Sequence, residues 1–434
     1  MRLTTRELDY SQGFTNENDI FNRQRFATQL ETIILNSQDE SLVFAIDDKW
    51  GSGKTTFLKM WEGKVIKEEN PNLKIIYFDA FEHDYQQDAF LALASKIYDL
   101  IDKESSTLKK KFIDSAKVVG RSLFSIATKV GVNIATAGLV NGSAIESASD
   151  TVADAITNPI DKFIEEKIKG AKQEEDSLTH FKETLELISK DKKIIFIIDE
   201  LDRARPDFSL EILEKIKHVF SAKNFIFMLS MNREQFEKTI IKRYGDINAS
   251  LYLSKFITHW FTLPKESETK TTALSRYCEH LYKVMLDSNR EFETSYDTLT
   301  RLLTVNKTSL REAEKAFGFM ALTLASITNK VPGTRQAAIA ISTYLTILHP
   351  NSINDVLDNE MTLKKIVSLL NIPSTQEYID EFISKIINTE FLPTDEYGRL
   401  VTEKSELVMP PQSRRPTFIK NALNYITNMY IDSN

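Results

Sequence analysis

Cysteine is nearly absent from this chain: Cys278 is the single thiol in 434 residues. One cysteine excludes an intramolecular disulfide and a zinc site built from several cysteines of the same chain. Glycine and proline are also scarce, at 13 and 11 residues, which argues against low-complexity tails and for a helix-rich body. Positive charge is not in surplus. With a formal net charge of −7, the chain as a whole is no electrostatic partner for DNA or RNA, and nucleic-acid contact would need a local basic patch. Met1–Asp19 is mostly polar, with scattered apolar residues, unlike a secretory leader. The chain is therefore expected to be cytoplasmic.

What is present is ordinary for a globular protein: 42% apolar and 27% charged residues, enough for a sizeable core and two or three domains. The informative stretch is Asp47–Thr56, DDKWGSGKTT. It follows the short apolar run Leu42–Ile46, which reads as a buried parallel strand. It precedes a helix-like segment with Phe57, Leu58 and Trp61 at helical spacing. Strand, glycine-bearing turn, Lys-Thr and helix form the layout of a phosphate-binding P-loop. Gly51 and Gly53 let the backbone approach an anion, and the N–H groups and dipole of the following helix favour negative charge there. Lys54 would reach the β- and γ-phosphates and the Thr55 hydroxyl would ligate Mg²⁺. One position departs from the general pattern: Asp48 stands where G-x-x-x-x-G-K-[ST] has its first glycine.

Taken in order, residues 1–40 read as an N-terminal segment with a helix from about Arg23 to Leu35. Leu73–Asp79 reads as a second buried strand; Asp79 and Glu82 would either order water or metal at a strand's carboxyl end or form a helix cap or a surface pair. Lys103–Gly170 breaks the pattern and reads as an insertion. Its first part is basic (Lys103, Lys109, Lys110, Lys111, Lys117, Arg121), and its middle, Val130–Ile145, is uncharged and rich in small residues. That middle is shorter than a spanning helix requires. It reads as a packed helical hairpin or partner-binding segment, with docking on an anionic membrane surface as the alternative.

Lys193–Asp199 is the most strand-like run and ends in Asp199-Glu200. An apolar strand that delivers an Asp to the crevice is the Walker B arrangement, in which Asp199 helps hold Mg²⁺ and Glu200 polarises the attacking water. Ser209 is expected to cap a helix running to about Phe220, and Asn224–Ser230 is a fourth buried strand. Ser230 or Asn232 would sense the γ-phosphate, or else cap the next helix. Tyr252–Pro264 closes the sheet. From about Lys265 the pattern is helical, with apolar helices at Ala316–Ile327 and Gln336–Leu348 separated by Pro332-Gly333.

Several of these runs together resemble the KAP family of P-loop NTPases: Trp50-Gly51-Ser52-Gly53-Lys54-Thr55; Asp79-Ala80-Phe81; Asp199-Glu200-Leu201-Asp202-Arg203; and Tyr252-Leu253-Ser254-Lys255-Phe256 leading to Leu263-Pro264. At Asp79-Ala80-Phe81 two of three positions differ from the family's Asn-Ala-Trp-like triplet, and Glu200 stands where the family has a second Asp. The resemblance covers roughly Asp19–Pro264 without the insertion, and more faintly the stretch around Leu310-Arg311. It implies an ATPase core with an extra strand between the two nucleotide motifs. It also implies a helical C-terminal region and, from bacterial members associated with phage exclusion, a setting in anti-phage defence.

The expected fold is thus an α/β P-loop NTPase core of ASCE type, a mostly parallel sheet with helices on both faces, over residues 41–264. It carries a helical insertion at about 103–170 and an all-α C-terminal domain over residues 265–434. The expected activity is hydrolysis of Mg-ATP coupled to a conformational or assembly change, with a slow nucleotide switch that recognises a partner as the alternative. Lys54, Asp199, Glu200 and Arg203 are the expected catalytic residues. Trp50, Gly51, Ser52, Gly53, Lys54, Thr55 and Thr56 would bind nucleotide, and Thr55 and Asp199 the metal. Arg205 and Arg311 are further candidates for γ-phosphate contact. Expected partners are ATP and either further copies of the chain or a protein of the same system; nucleic acid and a membrane surface are weaker candidates.

Overall fold

The apolar runs become strands: β1 is Ser41–Asp47, β2 Leu73–Asp79, β3 Lys193–Asp199, β4 Phe225–Met231 and β5 His259–Phe261. In this computed structural model they form one five-stranded sheet in the order β2-β3-β4-β1-β5, with every pairing parallel. The described residues are 1–5, 7–38, 41–86, 88–101, 105–120, 175–264, 272–372, 378–411 and 413–428.

A parallel sheet covered on both faces needs strands that are apolar at every position, not at alternate ones. Ile194, Phe196 and Ile198 of β3, with Phe225, Phe227 and Leu229 of β4, pack against helices Ala89–Leu100 and Pro206–His218. Ile195 and Ile197, with Phe44, Ile46 and Met228, pack on the opposite face against helices Gln24–Asn36 and Lys54–Lys67. Helix Pro206–His218 begins earlier than expected. Pro206 takes the first helical position, where its missing N–H is no loss. Ser209 lies inside the helix, its hydroxyl donating to the Leu201 and Arg205 carbonyls, so it is not the cap.

Residues 106–120, inside the expected insertion, and residues 175–188, just after it, are helical, with Phe112, Val119, Phe181 and Leu185 buried in the sheet's core. Val130–Ile145, Lys103 and Arg121 lie outside the described residues. No described helix is long and apolar enough to cross a membrane.

Beyond β5 the described chain is helical, and a separate apolar core joins Leu281, Leu302, Phe317, Ile341, Tyr344 and Leu423. Helix Leu310–Ala325 opens with a reciprocal capping box between Ser309 and Glu312. The N-terminal segment bridges the two halves. Arg2 N–H donates to the Met285 carbonyl and Thr5 to Glu314 on the helical side. On the sheet side Tyr10 lies so close to Gly63 that a Cβ there would stand 1.7 Å from the Tyr10 carbonyl oxygen.

Candidate functional site

The carboxyl ends of β1, β3 and β4 come together because β4 separates β1 from β3 in the sheet. Open parallel sheets bind ligands in the crevice at such ends, where the direction of winding reverses. Trp50 through Thr56 after β1, and Asp199, Glu200, Asp202 and Arg203 at the end of β3, line a single cavity of about 1140 Å³. Arg311 from the helical half and residues of the N-terminal segment line it too.

The turn after β1 depends on its glycines. Gly51 has φ +76° and Gly53 φ +85°, the left-handed region that side chains strain to enter. A Cβ on Gly51 would also stand 2.8 Å from the Arg311 Cβ. Lys54 is buried, and its ammonium donates to the Asp48 carbonyl at 2.5 Å and the Lys49 carbonyl at 3.2 Å. Burial lowers its pKa, while Asp202, Asp48, Asp199 and Asp47 act in the opposite sense. Asp48 is itself buried, one carboxylate oxygen accepting from the Lys49 N–H. The Ser52 hydroxyl oxygen is shielded from solvent and has no hydrogen-bond partner among the described residues.

At the end of β3, Asp199 is 1% exposed and both its oxygens are engaged, one by the Glu200 N–H and the other by the Tyr77 hydroxyl at 2.9 Å. Glu200 has φ +56°. For a non-glycine residue that conformation is unfavourable and persists only where its surroundings hold it. Arg203 pairs with one Glu200 oxygen, and the Thr55 hydroxyl lies 3.5 Å from the other. Burial raises the Glu200 pKa, with Arg203 opposing that shift. Trp50 donates its indole N–H to Asp202 at 2.6 Å, and the Arg203 guanidinium stands 5.8 Å from the Trp50 ring centroid. The two motifs are therefore joined directly, at Thr55–Glu200 and at Trp50–Asp202.

Other expected residues lie elsewhere or serve the backbone. Arg205 donates to the carbonyls of Asp84 and Gln86 and does not line the cavity. Asp79 accepts from the Glu82 N–H as a helix cap, and Asn232 caps helix Arg233–Tyr244. The Ser230 hydroxyl is buried with no hydrogen-bond partner among the described residues. Two neighbours of the site, Tyr77 and Arg23, escaped the sequence reading. Tyr77 carries the one hydroxyl in the run LKIIYFD, a faint signal; Arg23 gave none.

The donor set fits the groups a P-loop serves. Among the described residues no three His, Cys, Asp or Glu side chains are placed to hold a metal by themselves. Mg²⁺ ordinarily takes one or two protein oxygens together with substrate phosphates, and Thr55 with Asp199 is such a pair. The positive-φ glycines and the unpartnered Ser52 hydroxyl suit a phosphate cradle.

A family model described as the KAP family P-loop domain matches residues 23–371. No curated protein matches the chain. Among solved structures the chain is similar to the ORC2 protein of Aeropyrum pernix in ADPNP–ADP complexes, at 11% identity over 99% of this chain and 100% of that one, with a TM-score of 0.37. It is similar to Cdc6p from Pyrobaculum aerophilum at 11% identity over 99% of each chain, TM-score 0.41. The ORC1 protein of Aeropyrum pernix in complex with DNA gives 10% identity over 99% of this chain and 100% of that one, TM-score 0.33. These likenesses are too distant to carry an argument about this chain.

Proposed function

Because the chain belongs to the KAP family of P-loop NTPases, we propose that it binds Mg-ATP and hydrolyses the β–γ bond to drive a conformational or assembly change. The observation that most supports this is that Lys54, Thr55, Asp199 and Glu200, from distant parts of the chain, line one cavity. Lys54 and the N–H groups at the start of its helix take up charge on the phosphates. The Thr55 hydroxyl and the Asp199 carboxylate would hold the metal, with the Tyr77 hydroxyl keeping Asp199 oriented. Bound there, Mg²⁺ would supply positive charge that offsets the negative charge of the phosphates. Glu200 orients a water and takes its proton as the water oxygen attacks the γ-phosphorus; the bond from that phosphorus to the bridging oxygen breaks, and ADP and phosphate leave. Of the three arginine candidates, Arg311 is best supported for γ-phosphate contact: it lines the cavity, and its side chain forms no hydrogen bond or ion pair with another described residue.

The test is phosphate release by the full chain with ATP and Mg²⁺, alone and after chelation. Release that depends on Mg²⁺ is expected; none under any condition, with no ATP binding, overturns the proposal. The slow-switch alternative draws support from the Arg203–Glu200 pair, which engages the general base. Turnover at background level while ATP changes the protein's mass or its partner binding would favour that alternative. A role in anti-phage defence is proposed on the family resemblance, and phage challenge of bacteria expressing the wild type or Lys54→Ala tests it.

A further inference from the structure

Arg23 immediately precedes helix Gln24–Asn36 and is only 6% exposed. Its backbone N–H donates to Asp19, and the Phe21 ring lies 4.5 Å from its guanidinium carbon. The guanidinium reaches the phosphate-binding turn, donating to the Ser52 carbonyl at 3.0 Å and the Gly53 carbonyl at 3.3 Å. A Cβ on Gly53 would come within 2.9 Å of it.

In a planar trans peptide the C=O and the N–H of the next residue point in opposite directions. A cation that gathers the Ser52 and Gly53 carbonyls therefore turns the Gly53 and Lys54 N–H groups the other way. A planar guanidinium suits two acceptors at once, which an ammonium point charge does not. Asp48, at the position where the general pattern has glycine, adds a buried carboxylate to the same turn. We propose that Arg23 is a positioning residue of the phosphate cradle, orienting the Gly53 and Lys54 N–H groups toward phosphate and balancing the carboxylate of Asp48. Burial brings the Arg23 pKa down to about 10 while Asp48 and Asp19 raise it, so the guanidinium stays charged at neutral pH. This inference rests on the reading of the turn as a nucleotide site.

The test measures ATP and inorganic pyrophosphate affinity of the full chain for the wild type, R23Q, R23K, D48N and R23Q/D48N, each below its unfolding midpoint. Wild-type binding of ATP is the control for the nucleotide reading; its absence overturns that reading and this inference together. With the wild type binding, R23Q is expected to lose about tenfold or more for both ligands, the scale of coupled neighbours in one network. R23K, which keeps charge but not the planar fork, is expected to fall between. D48N is expected to recover much of the R23Q loss. R23Q affinity within about twofold of wild type, a loss confined to ATP that spares pyrophosphate, or no recovery in the double variant overturns the inference alone. A role only in folding would lower the unfolding midpoint without making pyrophosphate affinity depend on residue 48.

Discussion

The two walls of the cavity are held in different ways. On the sheet side each charged group is tied to its own neighbourhood: Lys54 to the carbonyls of its turn, Glu200 to Arg203, Asp199 to Tyr77 and the Glu200 N–H. On the helical side Arg311 is exposed and stands beside Gly51, and its side chain forms no hydrogen bond or ion pair with another described residue. The first wall is organised before any ligand arrives, which is where electrostatic catalysis draws its strength. The second is delivered by a separate hydrophobic core, so its distance from the first depends on how the two halves pack. A ligand that contacted both walls would favour the arrangement in which they are close, and to that extent nucleotide binding would be coupled to the position of the helical half.

The largest effect that would sharpen this contrast is on chemistry. Glu200→Gln keeps the shape of the sheet-side wall but removes the base, and kcat is expected to fall by about 10²–10⁴ with ATP affinity retained. Phosphate release and ATP titration check this; normal turnover removes Glu200 as base. Because burial raises the Glu200 pKa, the carboxyl is protonated, and useless as a base, up to a higher pH than a free Glu. The wild-type rate should thus fall with acid earlier than a free carboxylate would dictate, and the variant's residual rate should lack that limb.

Next in size, Lys54→Ala is expected to weaken ATP by about 100-fold or more, since hydrogen bonds to charged groups contribute about 1.5–3 kcal/mol each and Lys54 would supply more than one. Arg311→Ala tests the other wall. An exposed cation is well solvated without its ligand, so a smaller loss of about tenfold in kcat is expected, with little change in ADP affinity. A loss near 10³ or beyond would make Arg311 a full arginine finger and give the two walls equal rank. No loss would break the comparison and leave the helical half out of the chemistry.

The same contrast explains what was legible in the sequence. β1 to β4 stood out because strands buried on both faces are apolar throughout, as in Lys193–Asp199. The turn and the acids stood out because their roles require fixed spacing within ten residues or so. Asp79 and Asn232 as caps were visible as one of two open readings, since a short polar side chain before a helix suits either purpose. Ser209 misled: a serine shortly after a proline looks like a cap, yet Pro206 can itself start a helix. Arg23, Tyr77 and the seating of Arg311 against Gly51 depend on tertiary contacts across long stretches of chain, and no periodicity encodes those. Arg205 looked like a site residue by proximity to Arg203, but the backbone turns it toward Asp84.

The smallest expected effect concerns the seam within the sheet-side wall. Trp50 is 45% exposed, so its indole does little for the core, but its N–H bond to Asp202 ties the phosphate-binding turn to the segment after β3. Trp50→Phe removes that donor while keeping an aromatic ring near Arg203. A partly exposed hydrogen bond to a carboxylate contributes about 1–2 kcal/mol at most, and water can replace the lost donor at Asp202. A reduction of about three- to tenfold in kcat/KM is therefore expected, with the unfolding midpoint nearly unchanged. Asp202→Ala removes the acceptor of the indole N–H together with a carboxylate acting on Lys54. If turn and acids work as one unit, the double variant should lose less than the product of the single losses, because the second change then finds the link already cut. Independent losses would mean that the bond joins two parts that function separately, and the sheet-side wall would be no more unified than the pairing of the two walls.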